Sequence, residues 1–245
     1  EMQRSLVGSE MCIRDRNKLV GKTIPKELID LLDYIPVRTV WAIGGDGWAY
    51  DIGYGGLDHV LHSNENIKVL VLDTEVYSNT GGQASKATKL GAVAEFANFG
   101  KRTNKKDLFK IATCVPNCYV ASIALGANMQ QAINAFKEAE EHNGPAIIIA
   151  YAPCIEHGIK TGMGTSINEE KLSVECGYNI LMRYNGDLKI DSNEPNFEKY
   201  EEFLNREVRF NALKLKNPDF AKEILEEQKK YAKKRYDNYL KICKK

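Results

Sequence analysis

The strongest constraint on the fold is the run Ala146-Ile147-Ile148-Ile149-Ala150-Tyr151. A strand with one wet face alternates apolar and polar residues. A continuous β-branched run instead marks a strand covered on both sides, as in a parallel sheet flanked by helices. Residues 67–72, Ile-Lys-Val-Leu-Val-Leu, repeat the pattern with one interruption. A further strand is predicted over 38–43, where Arg-Thr-Val-Trp-Ala-Ile stops at Gly44-Gly45-Asp46-Gly47, and another over 118–123. One helix is expected from Trp48 towards Leu61. A second is expected where Met129, Ala132, Ile133, Phe136 and Ala139 recur at helical spacing before Asn143-Gly144-Pro145. Strands alternating with helices imply parallel crossovers, so residues 38–151 read as a doubly wound, mostly parallel α/β unit.

Beyond Cys154 the composition turns polar, with a short strand expected over 179–184 and loop signals through Pro195. Over 218–242, Phe220, Ile224, Leu225, Tyr231, Tyr239 and Leu240 form one apolar stripe, which predicts a long docked helix. The expected organisation is an α/β domain over 17–160 and a C-terminal helical appendage over 161–245. Residues 1–16 have no periodicity and are read as a junction segment of non-native origin, outside the fold.

A net charge of +1, from 34 basic and 33 acidic side chains, provides no electrostatic footprint for nucleic acid or an anionic membrane. The longest apolar runs fall far short of the ~20 residues needed to span a bilayer. Six irregularly spaced cysteines without a secretory leader point to a reducing cytoplasm, not a disulfide framework.

Chemistry concentrates where the strands end. Gly44-Gly45-Asp46-Gly47, between a strand and a helix, lets a phosphate approach backbone N–H groups at a helix start. The Asp46 carboxylate would repel that phosphate unless a divalent cation lay between them; on the residues alone, capping and metal ligation are equally open for it. The next strand breaks into Asp73-Thr74-Glu75-Val76-Tyr77-Ser78-Asn79-Thr80-Gly81-Gly82-Gln83. Adjacent strand ends in an open α/β sheet deliver their loops to one crevice. There Asp46, the Thr74 hydroxyl and a loop carbonyl could complete a magnesium shell with phosphate oxygens and water.

The segments GGDGWAYDIGYGGLDH and LDTEVYSNTGGQASKAT, within residues 44–88, resemble the thiamine-diphosphate domain of the pyruvate:ferredoxin (or flavodoxin) oxidoreductases. Thr74, 28 residues after Asp46, stands where related thiamine enzymes carry a metal-binding asparagine. The resemblance implies Asp46, Thr74 and the Val76 carbonyl as Mg²⁺ ligands. It implies Gly45, Gly47 and Trp48 along the diphosphate, and Glu75, Tyr77 and Ser78 in the cofactor loop. Asn79 would lie near the thiazolium carbon and substrate, where an amide can stabilise a developing oxyanion; the competing reading is a turn residue before Thr80-Gly81-Gly82, and the length of the match favours the functional one.

Cys154, in Tyr151-Ala152-Pro153-Cys154, occupies a third strand end. A lone cysteine by itself reads as inert core. The resemblance makes Cys154 one thiolate ligand of a 4Fe-4S cluster, with the remaining ligands outside this chain. Cys12, Cys114, Cys118, Cys176 and Cys243 read as ordinary thiols, and His157 as a solvent-facing loop residue.

The implied reaction is oxidative decarboxylation of pyruvate to acetyl-CoA and carbon dioxide by an anaerobic-type enzyme. Coenzyme A, ferredoxin or flavodoxin, the rest of the oxidoreductase chain and a second copy in a homodimer are the implied partners. The isolated chain is expected to be inactive alone. A non-oxidative 2-oxoacid decarboxylase, an oxidoreductase for another 2-oxoacid, and a non-catalytic cofactor-binding fragment are the competing readings.

Overall fold

The computed structural model describes residues 39–243. The junction segment 1–16, Cys12 and the start of the predicted α/β domain lie outside these residues. Six strands form one sheet: β1 (Val40–Gly45), β2 (Ile67–Asp73), β3 (Tyr119–Ile123), β4 (Ala146–Tyr151), β5 (Met182–Asn185) and β6 (Asp187–Ile190), in the order β1-β2-β4-β3-β5-β6. Strand β4 pairs in parallel with β2 and β3, and β5 and β6 extend the sheet antiparallel. The continuous apolar run of β4 is buried through its first four residues, as a centrally placed strand requires.

The helices are α1 (Tyr54–His62), α2 (Leu108–Ala112), α3 (Met129–Glu141), α4 (Ser166–Glu175), α5 (Tyr200–Asn205), α6 (Val208–Lys216) and α7 (Pro218–Cys243). The Asn128 side chain caps α3 by accepting from Gln131 N at 3.0 Å. Helix α3 buries Ala132, Ala135 and Ala139 against Tyr119, Ala121, Ile123 and Ile148 of the sheet. Its first turn differs from the expected apolar face, because Met129 and Ile133 are exposed. Lys68, the interruption in β2, is fully buried; its Nζ donates to the carbonyls of His142 (2.6 Å) and Gly144 (2.8 Å), at the negative end of α3.

Two elements depart from expectation. The helix predicted from Trp48 begins instead as a π-helical turn, Gly47–Ile52, and resumes as α1 only after Gly53. The Trp48 indole packs onto the backbone of Gly53, where a Cβ would overlap it, so this junction requires glycine. Strand β6, Asp187–Ile190, forms where the sequence predicts a loop. It returns from β5 across Gly186, which has a left-handed φ of 81°.

Residues Trp41–Lys245 form one compact unit. Within it, Tyr151, Tyr178, Tyr200, Phe203, Phe210, Leu225 and Ala232 share a core drawn from β4, the segment before β5 and the C-terminal helices. Helix α7 buries Ile224, Leu225 and Tyr239 of its predicted stripe, together with Ala221, Gln228, Ala232 and Tyr236. No helix of the described residues is long and apolar enough to cross a membrane.

Candidate functional site

The ends of β1, β2 and β4 bring three loops together. Asp46, immediately after β1, is 1% exposed. The Thr74 hydroxyl, immediately after β2, donates to Asp46 Oδ1 at 2.7 Å and lies 3.1 Å from the Val76 carbonyl oxygen. Two cis oxygens on an octahedral Mg²⁺ with bonds of about 2.05 Å stand about 2.9 Å apart, so both separations suit neighbouring ligands. Ser85 Oγ donates to Asp46 Oδ2 at 3.1 Å, an outer contact that nothing in the sequence singled out. Burial and then the nearby Asp73 charge raise the Asp46 pKa to about 6, against hydrogen bonds from Thr74 and Ser85 and the charge of Lys105. Lys105 compensates a carboxylate so placed only in part, and a divalent cation would supply the remainder.

The remaining glycine-loop residues pack around this oxygen cluster. A Cβ on Gly47 would overlap the Tyr77 ring, so glycine here lets the loop after β2 lie over the loop after β1. Gly45 faces open space. Ser78 Oγ is 3.4 Å from the Thr74 hydroxyl, and Asn79 is exposed in the short turn Ser78–Thr80, its amide making no hydrogen bond among the described residues.

The Glu75 side chain takes another direction. It is fully buried, with Lys105 Nζ 2.9 Å from Oε1 and Arg209 Nη2 2.9 Å from Oε2; the Tyr178 hydroxyl also donates to Oε2. Burial alone would raise its pKa, but Lys105 and Arg209 outweigh that and hold the carboxyl well below the usual range. Its backbone is left-handed, at φ 61°.

The third loop carries Cys154, half-buried at the start of the turn Ile155–His157. Burial raises its thiol pKa, while the backbone N–H groups of Glu156 and His157 and the charge of Arg209 favour the thiolate. Among the described residues Cys118 and Cys176 are buried, Cys114 and Cys243 are exposed, and no three His, Cys, Asp or Glu side chains form a metal-holding group.

His157 corrects the solvent-facing reading. It is fully buried, stacked on Tyr151, and its Nε2–H donates to the Thr74 carbonyl at 2.7 Å. A loop histidine goes under when a neighbouring loop offers an acceptor and an aromatic ring offers a wall.

Residues 29–150 match the family described as thiamine pyrophosphate enzyme, C-terminal TPP binding domain. A pyruvate:ferredoxin oxidoreductase from Moorella thermoacetica is 50% identical over 86% of this chain. This chain belongs to the thiamine pyrophosphate enzymes. A pyruvate-flavodoxin oxidoreductase from Klebsiella pneumoniae is 46% identical over 91% of this thiamine pyrophosphate enzyme chain. A mitochondrial pyruvate dehydrogenase [NADP(+)] from Euglena gracilis is 46% identical over 83% of it. The chain spans only 18%, 20% and 12% of the lengths of these three relatives. The family match takes in both glycine-loop segments and ends within β4, before Cys154.

Proposed function

We propose that this chain is the cofactor-binding portion of a pyruvate oxidoreductase. Asp46, the Thr74 hydroxyl and the Val76 carbonyl hold a Mg²⁺ ion that anchors thiamine diphosphate. The observation that carries the reading is the convergence of these three oxygens, from two strand ends, at separations of 2.7 and 3.1 Å. The donor set is all oxygen with a single carboxylate, which suits a hard cation that shares its shell with phosphate.

Gly45, Gly47 and Trp48 line the diphosphate, with Tyr77 and Ser78 completing the loop. When bound, thiamine diphosphate supplies the nucleophilic carbon and the electron sink for decarboxylation. Asn79 offers a free amide at the rim, suited to donate to negative charge developing on a 2-oxoacid oxygen. Cys154 provides one thiolate of a 4Fe-4S cluster. N–H groups aimed at its sulfur fit that role, and the other thiolates come from outside the described residues.

In the whole protein the reaction is oxidation of pyruvate to acetyl-CoA and carbon dioxide, with coenzyme A as acyl acceptor and electrons leaving through iron–sulfur clusters to ferredoxin or flavodoxin. A homodimer working anaerobically in the cytoplasm fits this chemistry. Relatives named for ferredoxin, flavodoxin and NADP⁺ match the same segment at 50, 46 and 46% identity, which supports an acceptor site elsewhere in the whole protein. Calorimetric titration with thiamine diphosphate tests the reading: binding is expected with Mg²⁺, and neither with EDTA nor in Asp46→Ala. Equal binding in all three arms overturns it.

A further inference from the structure

Two candidate cation ligands flank a residue in a costly conformation. Glu75, between Thr74 and Val76, sits at φ 61°, a region that L-residues with long side chains rarely occupy. That turn lets the Thr74 hydroxyl and the Val76 carbonyl point at one place, 3.1 Å apart. Such a conformation persists only where its surroundings over-determine it. Here every part of the turn is held. The preceding carbonyl, of Thr74, accepts from His157 Nε2 at 2.7 Å. The Glu75 carbonyl accepts from Thr88 Oγ1 at 2.6 Å. The Glu75 carboxylate is fixed by Lys105, Arg209 and Tyr178.

His157 is the member of this set that joins the Cys154 segment to the cation loop. Its backbone N–H donates to the Cys154 carbonyl at 3.1 Å. Its Nδ1 lies 3.6 Å from Glu207 Oε1, and Glu207 pairs with Arg209 at 2.6 Å, so the contacts return to Glu75.

We propose that His157 is a positioning residue for the cation site: through its Nε2–H bond to the Thr74 carbonyl, it fixes the left-handed turn that aims the Thr74 and Val76 oxygens at one ion. The inference rests on the magnesium reading above. Outer partners that orient metal ligands are commonly worth ten- to a hundred-fold in metal affinity.

The test is Mn²⁺ binding to the intact chain with saturating thiamine diphosphate, read from the EPR signal of free Mn²⁺, with thermal stability measured in parallel. Glutamine places an N–H near the position of histidine Nε2, whereas asparagine reaches only the position of Nδ1. His157→Asn is expected to weaken Mn²⁺ binding about tenfold or more, and His157→Gln to recover to within about threefold of the parent. Equal affinity in all three proteins overturns the positioning role. So does a parallel loss in both variants that follows their loss of thermal stability. If the parent itself takes up no Mn²⁺ in a cofactor-dependent way, the magnesium reading falls and this inference falls with it.

Discussion

Arg209 Nη2 lies 2.9 Å from the Glu75 carboxylate, so a residue of α6 neutralises a buried charge inside the loop that follows β2. The same guanidinium pairs with Glu207 at 2.6 Å. Removing one partner of a buried ion pair leaves the others as uncompensated charges, which typically costs about 3–5 kcal/mol. Arg209→Ala is therefore expected to lower unfolding free energy by that order in urea denaturation. A change within about 0.5 kcal/mol would mean that the pair is not buried in solution.

Acid should strike at the same place. Glu75 is held below its ordinary value of 4.5, so its contribution is complete above pH 4.5 and is lost as the pH falls and the unfolded chain takes up protons that the folded one refuses. Urea midpoints are expected to drop between pH 5 and pH 3, the window set by the unfolded value of about 4.5. Glu75→Gln should flatten part of that slope.

Asp46 carries the opposite sign. With its pKa raised to about 6 by burial and Asp73, its ionised form destabilises the cation-free fold at neutral pH. Asp46→Asn is expected to raise thermal stability without cation, by a gain on the order of 1–3 kcal/mol, while Mg²⁺-dependent cofactor binding disappears. A variant that loses stability and keeps binding would contradict both halves.

Gly45, at the end of β1, and Gly47, at the start of the following turn, separate packing from ligand contact. A Cβ at Gly45 meets nothing within 4 Å, so Gly45→Ala should leave stability nearly unchanged and weaken thiamine diphosphate binding if the diphosphate lies there. Gly47→Ala must displace the Tyr77 ring and should also cost about 1–3 kcal/mol of stability. Paired denaturation and calorimetric titrations distinguish the two.

Burial pushes the thiols of Cys118 and Cys176 up to about 12. Iodoacetamide at pH 8 is expected to label the exposed Cys114 and Cys243 and to spare those two until the protein unfolds, as peptide mass spectrometry would reveal. Because the unfolded thiols ionise near 9 and the folded ones do not, stability should also fall as the pH rises from 9 towards 12.

What was legible in the sequence is what depends on neighbours along the chain. The β2 and β4 runs declare strands buried on both faces, and the polar breaks after β1 and β2 mark where Asp46 and Thr74 stand. The hairpin into β6 also has a local sign in Gly186, whose left-handed φ of 81° makes the reversal between β5 and β6. Helices α4, α5 and α6 gave weaker signals because they are short, and because Glu169, Glu207 and Arg209, charged types that normally stay in water, are buried there. The supports of the loop after β2 were invisible for a related reason: Lys105, Arg209 and His157 meet Glu75 and Thr74 across long chain separations, and no spacing rule connects them.

The long reach of Arg209 also has a consequence in time. A ribosome releases the stretch bearing Asp46, Thr74 and Glu75 well before it releases α6. During that interval Glu75 has Lys105 as its only nearby cation of the final pair, and Tyr178 and His157 are still to come. The left-handed turn at Glu75 is therefore fully supported only once α6 and the Ile155–His157 turn have folded back onto the loop that follows β2.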